Sequence, residues 1–433
     1  MKLYEHQKQG LEATKELNHV AFYWDMGLGK TFVGSEKMMQ LGAKANLVVC
    51  QKSKIEDWIE HFEQNYSKDS IIYDLTNDSA LDMFLFNTTV CSPLSNHIGI
   101  INYDLIWRRK ELLKLKDFTL LLDESSLIQN EKAKRTRFIL KMQPKNVILL
   151  SGTPTGGKYE RLWSQMHLLG WNISKDMYWN QFVIVKRLDL ISGRSIPLVA
   201  GYKNVDRLKR KMAEYGCQFL KTNEVFDLPL QNFQKINVPS SREYKKFKET
   251  GIVTFVDPYD VENGYSLVGD TTLTKMLYER QLCSIYSEDK LKAFSDLLDS
   301  TEDRLIVFYN FTAELEAMRK ILQAQRRPYS IVNGNQKNLN CYNIKDDSVT
   351  FVQYQAGAMG LNLQKANKVI YYSLPLSSEL FEQSKKRIHR IGQDKPCFYY
   401  LLICKGSIEE KILATLKMRK DYTAELFKKE IEQ

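Results

Sequence analysis

Short runs of Val, Ile, Leu and aromatic residues recur along the chain between longer stretches with helical spacing. In the first part they are Val20–Trp24, Leu47–Cys50, Ile98–Ile101, Leu120–Leu122 and Val147–Leu150. Beyond residue 300 they are Leu305–Tyr309, Tyr329–Val332, Val349–Tyr354, Val369–Tyr372 and Phe398–Ile403. Uninterrupted apolar runs alternating with helices predict parallel strands buried on both faces, an α/β arrangement. The pattern occurs twice, so two lobes are expected. Residues 156–300 read as helical insertions, with basic and aromatic residues interleaved in Lys158–Trp163, Asp206–Glu214 and Arg242–Lys248. Asp257–Pro258 and Asn263–Gly264 read as turns there. Ser407–Glu430 reads as a closing helix in which Ser407 and Glu410 form a capping box. The expected division is 1–225, a linker with helical insertion over 226–300, and 301–433.

Composition narrows the class without fixing a function. The 433 residues are 43% hydrophobic and 26% charged, which excludes a disordered or collagen-like chain. The seven cysteines form no CxxC pair and have no His at finger spacing, so a structural zinc site is not expected. The N-terminal MKLYEHQKQGLEA has no apolar core of a signal peptide. No run reaches the roughly 18 apolar residues of a membrane span. A soluble, intracellular protein in a reducing cytosol is expected. The 62 Lys and Arg outnumber 52 Asp and Glu, for a formal charge of +10. That excess suits nucleic acid or an acidic membrane surface.

Three segments carry chemistry. Trp24-Asp25-Met26-Gly27-Leu28-Gly29-Lys30-Thr31 follows an apolar run and opens a helical stretch. Glycines there let backbone N–H groups approach phosphates, Lys30 pairs with the β- and γ-phosphates, and the Thr31 hydroxyl ligates Mg²⁺. Trp24 stands where the strict GxxxxGK[ST] pattern has Gly, and the alternative is a glycine-rich turn with a solvated lysine. Leu120–Leu122 ends in Asp123-Glu124, where one carboxylate can hold the metal and the other activate water; a solvated acidic loop is the bland reading. Arg387 and Arg390 lie three residues apart, on one face if helical, where guanidinium groups can stabilise a transferring phosphoryl. A solvated basic helix end would look similar.

With Ser151-Gly152-Thr153-Pro154 and Gln383–Gln393, which contains Arg-Ile-His-Arg-Ile-Gly-Gln, the ordered set resembles motifs I, II, III and VI of the superfamily two helicases. The last stretch is similar to the signature of Swi/Snf-type DNA translocases. Gln7 resembles the glutamine that reads adenine; Lys52–Trp58, Ile101–Asp104, Ile306–Thr312 and Gln355–Leu363 resemble motifs Ia, Ib, IV and V. Lys221–Pro229 and Gln281–Leu298 resemble segments between the lobes.

The resemblance covers residues 3 to about 414. It implies two RecA-like lobes with parallel sheets and helical insertions, ATP and Mg²⁺ as cofactors, and translocation along double-stranded DNA, with single-stranded DNA or RNA as alternative tracks. Carried over by position, Gln7, Gly27, Gly29, Lys30, Thr31, Asp123 and Gly360 bind the nucleotide, Thr31 and Asp123 through the metal. Glu124, Arg387 and Arg390 are catalytic. Lys52, Ser53, Asn102, Lys132, Arg135, Asn310 and Asn362 contact nucleic acid.

Three departures stand out. Ser125-Ser126 replaces the small residue and His after motif II, which bears on coupling more than on hydrolysis. Leu374-Pro375-Leu376 replaces Trp-Asn-Pro, and the stretch after Val332-Asn333-Gly334 is short. These suit a compact microbial or phage-like member, recruited through its motor surface or a protein partner. A strand-separating helicase and an ATP-gated clamp that does not travel are the alternatives.

Overall fold

A computed structural model of the chain describes residues 2–89, 96–189, 195–257, 260–357 and 361–426. The chain divides into two compact units, one running to Phe226 and taking in the stretch from Asp421, the other Asp227–Lys420.

The first unit contains β1 (His19–Trp24), β2 (Ala45–Cys50), β3 (Ser70–Asp74), β4 (Asn96–Asn102), β5 (Thr119–Asp123) and β6 (Asn146–Leu150). An antiparallel hairpin, β7 (Val183–Asp189) and β8 (Ser195–Tyr202), precedes β9 (Cys217–Leu220). The sheet order is β3-β4-β2-β5-β6-β1-β9, with every neighbouring pair parallel. Alternation of side chains splits the strands between two cores. Tyr23, Leu47, Leu120, Leu122 and Leu149 pack on one face; Phe22, Trp24, Val48, Leu121 and Ile148 pack on the other. This two-sided burial is why the strands read as unbroken apolar runs.

The second unit repeats the plan. It contains β10 (Gln231–Val238), the antiparallel hairpin β11 (Ile252–Asp257) and β12 (Asp260–Val268), then β13 (Leu305–Tyr309), β14 (Tyr329–Val332), β15 (Lys337–Asn338), β16 (Val349–Gln353), β17 (Lys368–Tyr371) and β18 (Cys397–Cys404). The order is β10-β18-β17-β13-β16-β14-β15, with only β14–β15 antiparallel. Ile306 and Phe308 face one core, Leu305, Val307 and Tyr309 the other. The α/β class with two mainly parallel sheets matches the expectation, and each of the ten apolar runs coincides with a strand, with Tyr354 and Tyr372 just past the ends of β16 and β17.

The stretch 156–300 is less helical than its pattern predicts. Besides helices it holds β7 to β12, and β9 and β10 each extend one of the main sheets along an edge. The sequence Gln231–Val238 is mostly exposed and polar, so no apolar run marks it. Asn263 and Gly264 fall within β12, not in a turn, and Pro258 lies outside the described residues. The closing helix spans Ile408–Leu426. Its cap is displaced from the expected box: Ser407 Oγ accepts from Glu409 N at 3.1 Å, while the Glu410 carboxylate accepts from Gly406 N at 3.2 Å. Gly406, at φ 70°, turns its N–H toward that carboxylate. No described helix is long and apolar enough to cross a membrane.

Candidate nucleotide site

Strands β5, β6 and β1 are neighbours in the first sheet, with Asp123 opposite Leu150 and Phe22 opposite Leu150. Parallel strands end on the same sheet edge, so the segments after Trp24, Asp123 and Leu150 emerge side by side. That is where ligands bind in open α/β sheets.

The segment after β1 turns through Gly27 (φ 89°) and Gly29 (φ 72°) into the helix Lys30–Gln40. Gly29 caps the helix in a left-handed conformation that L side chains avoid. The N-terminal end of this helix and its dipole favour an anion. Lys30 Nζ donates to Trp24 O at 2.9 Å and Asp25 O at 3.2 Å, so the ammonium is held over the loop. Gln7, in the helix Glu5–Ala13, is buried against this loop. Its Nε2 donates to Leu28 O and Gly29 O at 3.2 and 3.4 Å, and its Oε1 accepts from Tyr4 N at 2.9 Å. Asp25 is fixed from the other side by Thr222 N, 3.2 Å from its Oδ2, just past β9.

Asp123 closes β5. Its Oδ2 accepts from Trp58 Nε1 at 2.9 Å and its carbonyl from the Tyr103 hydroxyl at 2.9 Å. Burial pushes the carboxyl above its ordinary range, while the Trp58 N–H and the cations Lys30 and Lys54 pull it back in part. Glu124 has φ 52° and ψ 58°, a left-handed backbone on a non-glycine residue. Such strain gathers at functional sites. Ser151–Pro154 completes the edge: a Cβ built on Gly152 would lie 3.6 Å from Lys30 Nζ and 3.5 Å from Trp24 O. The Thr31 hydroxyl and the Asp123 carboxylate are hard oxygen donors of the kind Mg²⁺ takes, and the glycine loop presents a helix start to phosphate. ATP and Mg²⁺ therefore fit the residues present.

In the second unit the helix Ser378–Lys385 stops before the two arginines, which corrects the expectation that they share a helical face. Arg387 N bonds Ser384 O at 3.3 Å and the chain then bends. Gln393 holds the bend, its Nε2 donating to Gln364 O, Ala366 O and Ile388 O at 3.1, 2.8 and 3.2 Å. Arg387 is buried; Arg390 is half-buried and donates through Nη1 to Asn362 Oδ1. Burial lowers the Arg390 pKa from its ordinary value. Gly360 lies outside the described residues.

The residues expected on nucleic acid divide. Lys52, Ser53 and Lys132 are exposed. Arg135 is a brace: Nε donates to Leu127 O at 3.0 Å and Nη1 to Asp104 Oδ1 at 3.2 Å. Asn102 is buried at the end of β4. Asn310 turns its amide to Ser373 Oγ at 2.8 Å and Leu374 O at 3.1 Å. The asparagines were singled out by motif position; Asn310 bonds within its own unit through its amide, and Asn362 accepts from Arg390.

Trp58, Tyr103 and Gln393 were read only as parts of motifs, and their own roles were missed. A single indole N–H or carboxamide leaves no periodic signal, and its partners lie up to 65 residues away.

The SNF2-related domain model matches residues 6–287 and the helicase conserved C-terminal domain model residues 289–392. The chain is 22% identical to a Mycoplasma genitalium protein named as an uncharacterized ATP-dependent helicase, over 95% of this chain and 41% of that one. It is 23% identical to the ISWI chromatin-remodeling complex ATPase ISW1 of Saccharomyces cerevisiae, over 92% and 38%. An uncharacterized ATP-dependent helicase of Bacillus subtilis, YqhH, is 23% identical over 90% and 73%. The chain thus spans about two fifths of the first two relatives. The solved SWI2/SNF2 ATPase core of Sulfolobus solfataricus in complex with dsDNA aligns over 98% of this chain and 92% of that one, at 18% identity and a TM-score of 0.45.

Proposed function

The chain belongs to the SNF2-related domain family, and from that premise we propose that it is a DNA-dependent ATPase that moves along duplex DNA. One observation carries the reading: β5, β6 and β1 bring Asp123-Glu124, Ser151–Pro154 and Lys30-Thr31 to one sheet edge. When bound, MgATP supplies the γ-phosphoryl group and the metal's charge for its transfer to water. The first turn of Lys30–Gln40 and the Lys30 ammonium bind the phosphates. Gln7 lines the adenine end, and Thr31 and Asp123 hold the metal. Glu124 accepts a proton from the attacking water at a carboxylate oxygen. Arg387 and Arg390 are assigned to supply positive charge to the phosphoryl oxygens as negative charge develops there, and Gly360 is assigned to nucleotide binding by its motif position.

Directional motion follows if duplex affinity differs between the nucleotide-bound and nucleotide-free states. Exposed Lys52, Ser53 and Lys132, with Arg135, Asn102, Asn310 and Asn362, are assigned to the DNA track, and the charge of +10 favours a polyanion. The bacterial relatives favour a cytoplasmic setting, and a protein partner would direct the motor to its site. The test is ATP turnover without nucleic acid and with single-stranded DNA, RNA, and duplexes of increasing length. Turnover rising with duplex length supports translocation. Equal rates with and without nucleic acid overturn it, and saturation on the shortest duplex indicates a clamp. Strand displacement beside triplex displacement separates a helicase from a duplex tracker.

A further inference from the structure

Gln165 lies on the helix Trp163–Leu168, outside every motif described above, and is fully buried. Its Oε1 accepts from Ser125 Oγ at 2.8 Å and from the Tyr23 hydroxyl at 3.0 Å. Its Nε2 donates to Pro154 O at 2.8 Å. Pro154 O can only accept, so the amide orientation is fixed by chemistry. Ser125 and Tyr23 are also fully buried. One carboxamide therefore joins the residue after Glu124, the last residue of Ser151–Pro154, and the strand leading to the glycine loop. Its neighbour Ser164 adds a second tie, donating through Oγ to Ile128 O at 2.7 Å.

We propose that Gln165 is a positioning residue that makes the Glu124 turn and the Ser151–Pro154 loop shift as one. The proposal rests on the functional reading above and names how that site is coupled. A Cβ on Gly152 would meet Trp24 O at 3.5 Å and Lys30 Nζ at 3.6 Å; Ser151–Pro154 thus runs beside the phosphate loop, and a change felt there reaches it. Through Pro154 O, the amide and Ser125 Oγ it then reaches the strained backbone of Glu124. A carboxamide is the side chain that both donates and accepts at this point. Leucine in its place would leave Ser125 Oγ, the Tyr23 hydroxyl and Pro154 O without this partner.

Three variants test this: Ser125→Ala and Gln165→Leu, which cut the tie between the loops, and Tyr23→Phe, which removes a bond to the same oxygen while leaving both loops tied. Hydrogen exchange over residues 151–157 in nucleotide-free protein reads the tie without relying on hydrolysis. Ser125→Ala and Gln165→Leu are expected to speed exchange there at least tenfold, and Tyr23→Phe less than twofold. In turnover, the first two should lower duplex-stimulated kcat at least fivefold with KM for ATP within twofold, while Tyr23→Phe keeps its stimulation. If Gln165→Leu fails to fold, Ser125→Ala carries the test. Unchanged exchange at 151–157 in Ser125→Ala, or an equal effect from Tyr23→Phe, overturns the proposal. Wild-type protein that does not hydrolyse ATP overturns the functional reading, while the exchange result still decides whether Gln165 ties the loops.

Discussion

The indole N–H of Trp58 bonds Asp123 Oδ2 at 2.9 Å, across 65 residues of sequence. It ties one carboxylate oxygen of the proposed metal ligand and lowers the cost of keeping the group ionised beside the buried ring. Trp58→Phe retains an aromatic ring against Phe62 but loses the N–H. A bond to a charged group is worth about 1.5–3 kcal/mol, so the Mg²⁺ concentration for half-maximal turnover should rise about tenfold or more. A Mg²⁺ titration of ATP hydrolysis reads this, and an unchanged midpoint would refute it.

The proposed roles of Lys30 and Glu124 separate binding from turnover. Lys30→Ala should abolish the rise in Tm caused by MgATP and reduce hydrolysis to background. Glu124→Gln should keep that Tm rise while lowering kcat by about 10²-fold or more, as expected for loss of a general base. Measuring both quantities on both variants checks the division, and normal turnover in either removes that residue from catalysis.

Gly29 is constrained twice over. A Cβ there would sit 2.2 Å from Gln7 Nε2, and φ is 72°. Gly29→Ala should destabilise the protein by about 1–3 kcal/mol, seen as a lower denaturation midpoint. Adding Gln7→Ala removes the clash but leaves the strained backbone, so the double variant should recover part of the loss. Full recovery would show that the backbone conformation costs nothing.

Arg390 is half-buried, and Asn362 is its hydrogen-bond partner. Arginine fingers can contribute about 10³-fold or more to phosphoryl transfer. Arg390→Ala should therefore nearly stop turnover while MgATP still raises Tm. Turnover within threefold of wild type would exclude the role.

His61 predicts a pH effect on stability. It is buried on the helix Ile55–Tyr66, with Nε2 2.8 Å from Ser35 Oγ, and burial pushes its pKa down to about 4. An unfolded histidine titrates near 6.5. Below that pH the unfolded chain binds the proton first, so this group erodes stability from about pH 6.5 down to about 4, by on the order of 3 kcal/mol in full. His61→Gln should flatten the fall in unfolding free energy between pH 7.5 and 5. Parallel curves for the two proteins would exclude His61 as the cause.

What could be read from the sequence follows from burial. Strands covered on both faces must be apolar throughout, so β1, β2 and β5 announce themselves. Lys30 stood out because a glycine loop carries it from an apolar run into a helical stretch, and Asp123-Glu124 because paired carboxylates end an apolar run. β10 was not, because an edge strand needs only half its neighbours and tolerates Gln, Asn and Lys. The bend carrying Arg387 and Arg390 escaped notice for another reason: tertiary bonds from Gln393 end the helix early, and helical spacing cannot register them. Gln165 is invisible for the same reason, since its three partners come from three separate loops and strands.

The second sheet also limits self-association. On one side β10 presents a polar border on which Lys235 meets Glu410 at 3.0 Å, and on the other the two residues of β15 run antiparallel to β14. Short, charged or reversed borders are poor templates for further strands. At high concentration, fibre growth by strand addition should therefore not start from this sheet, even though its interior strands would pair readily if unfolding exposed them.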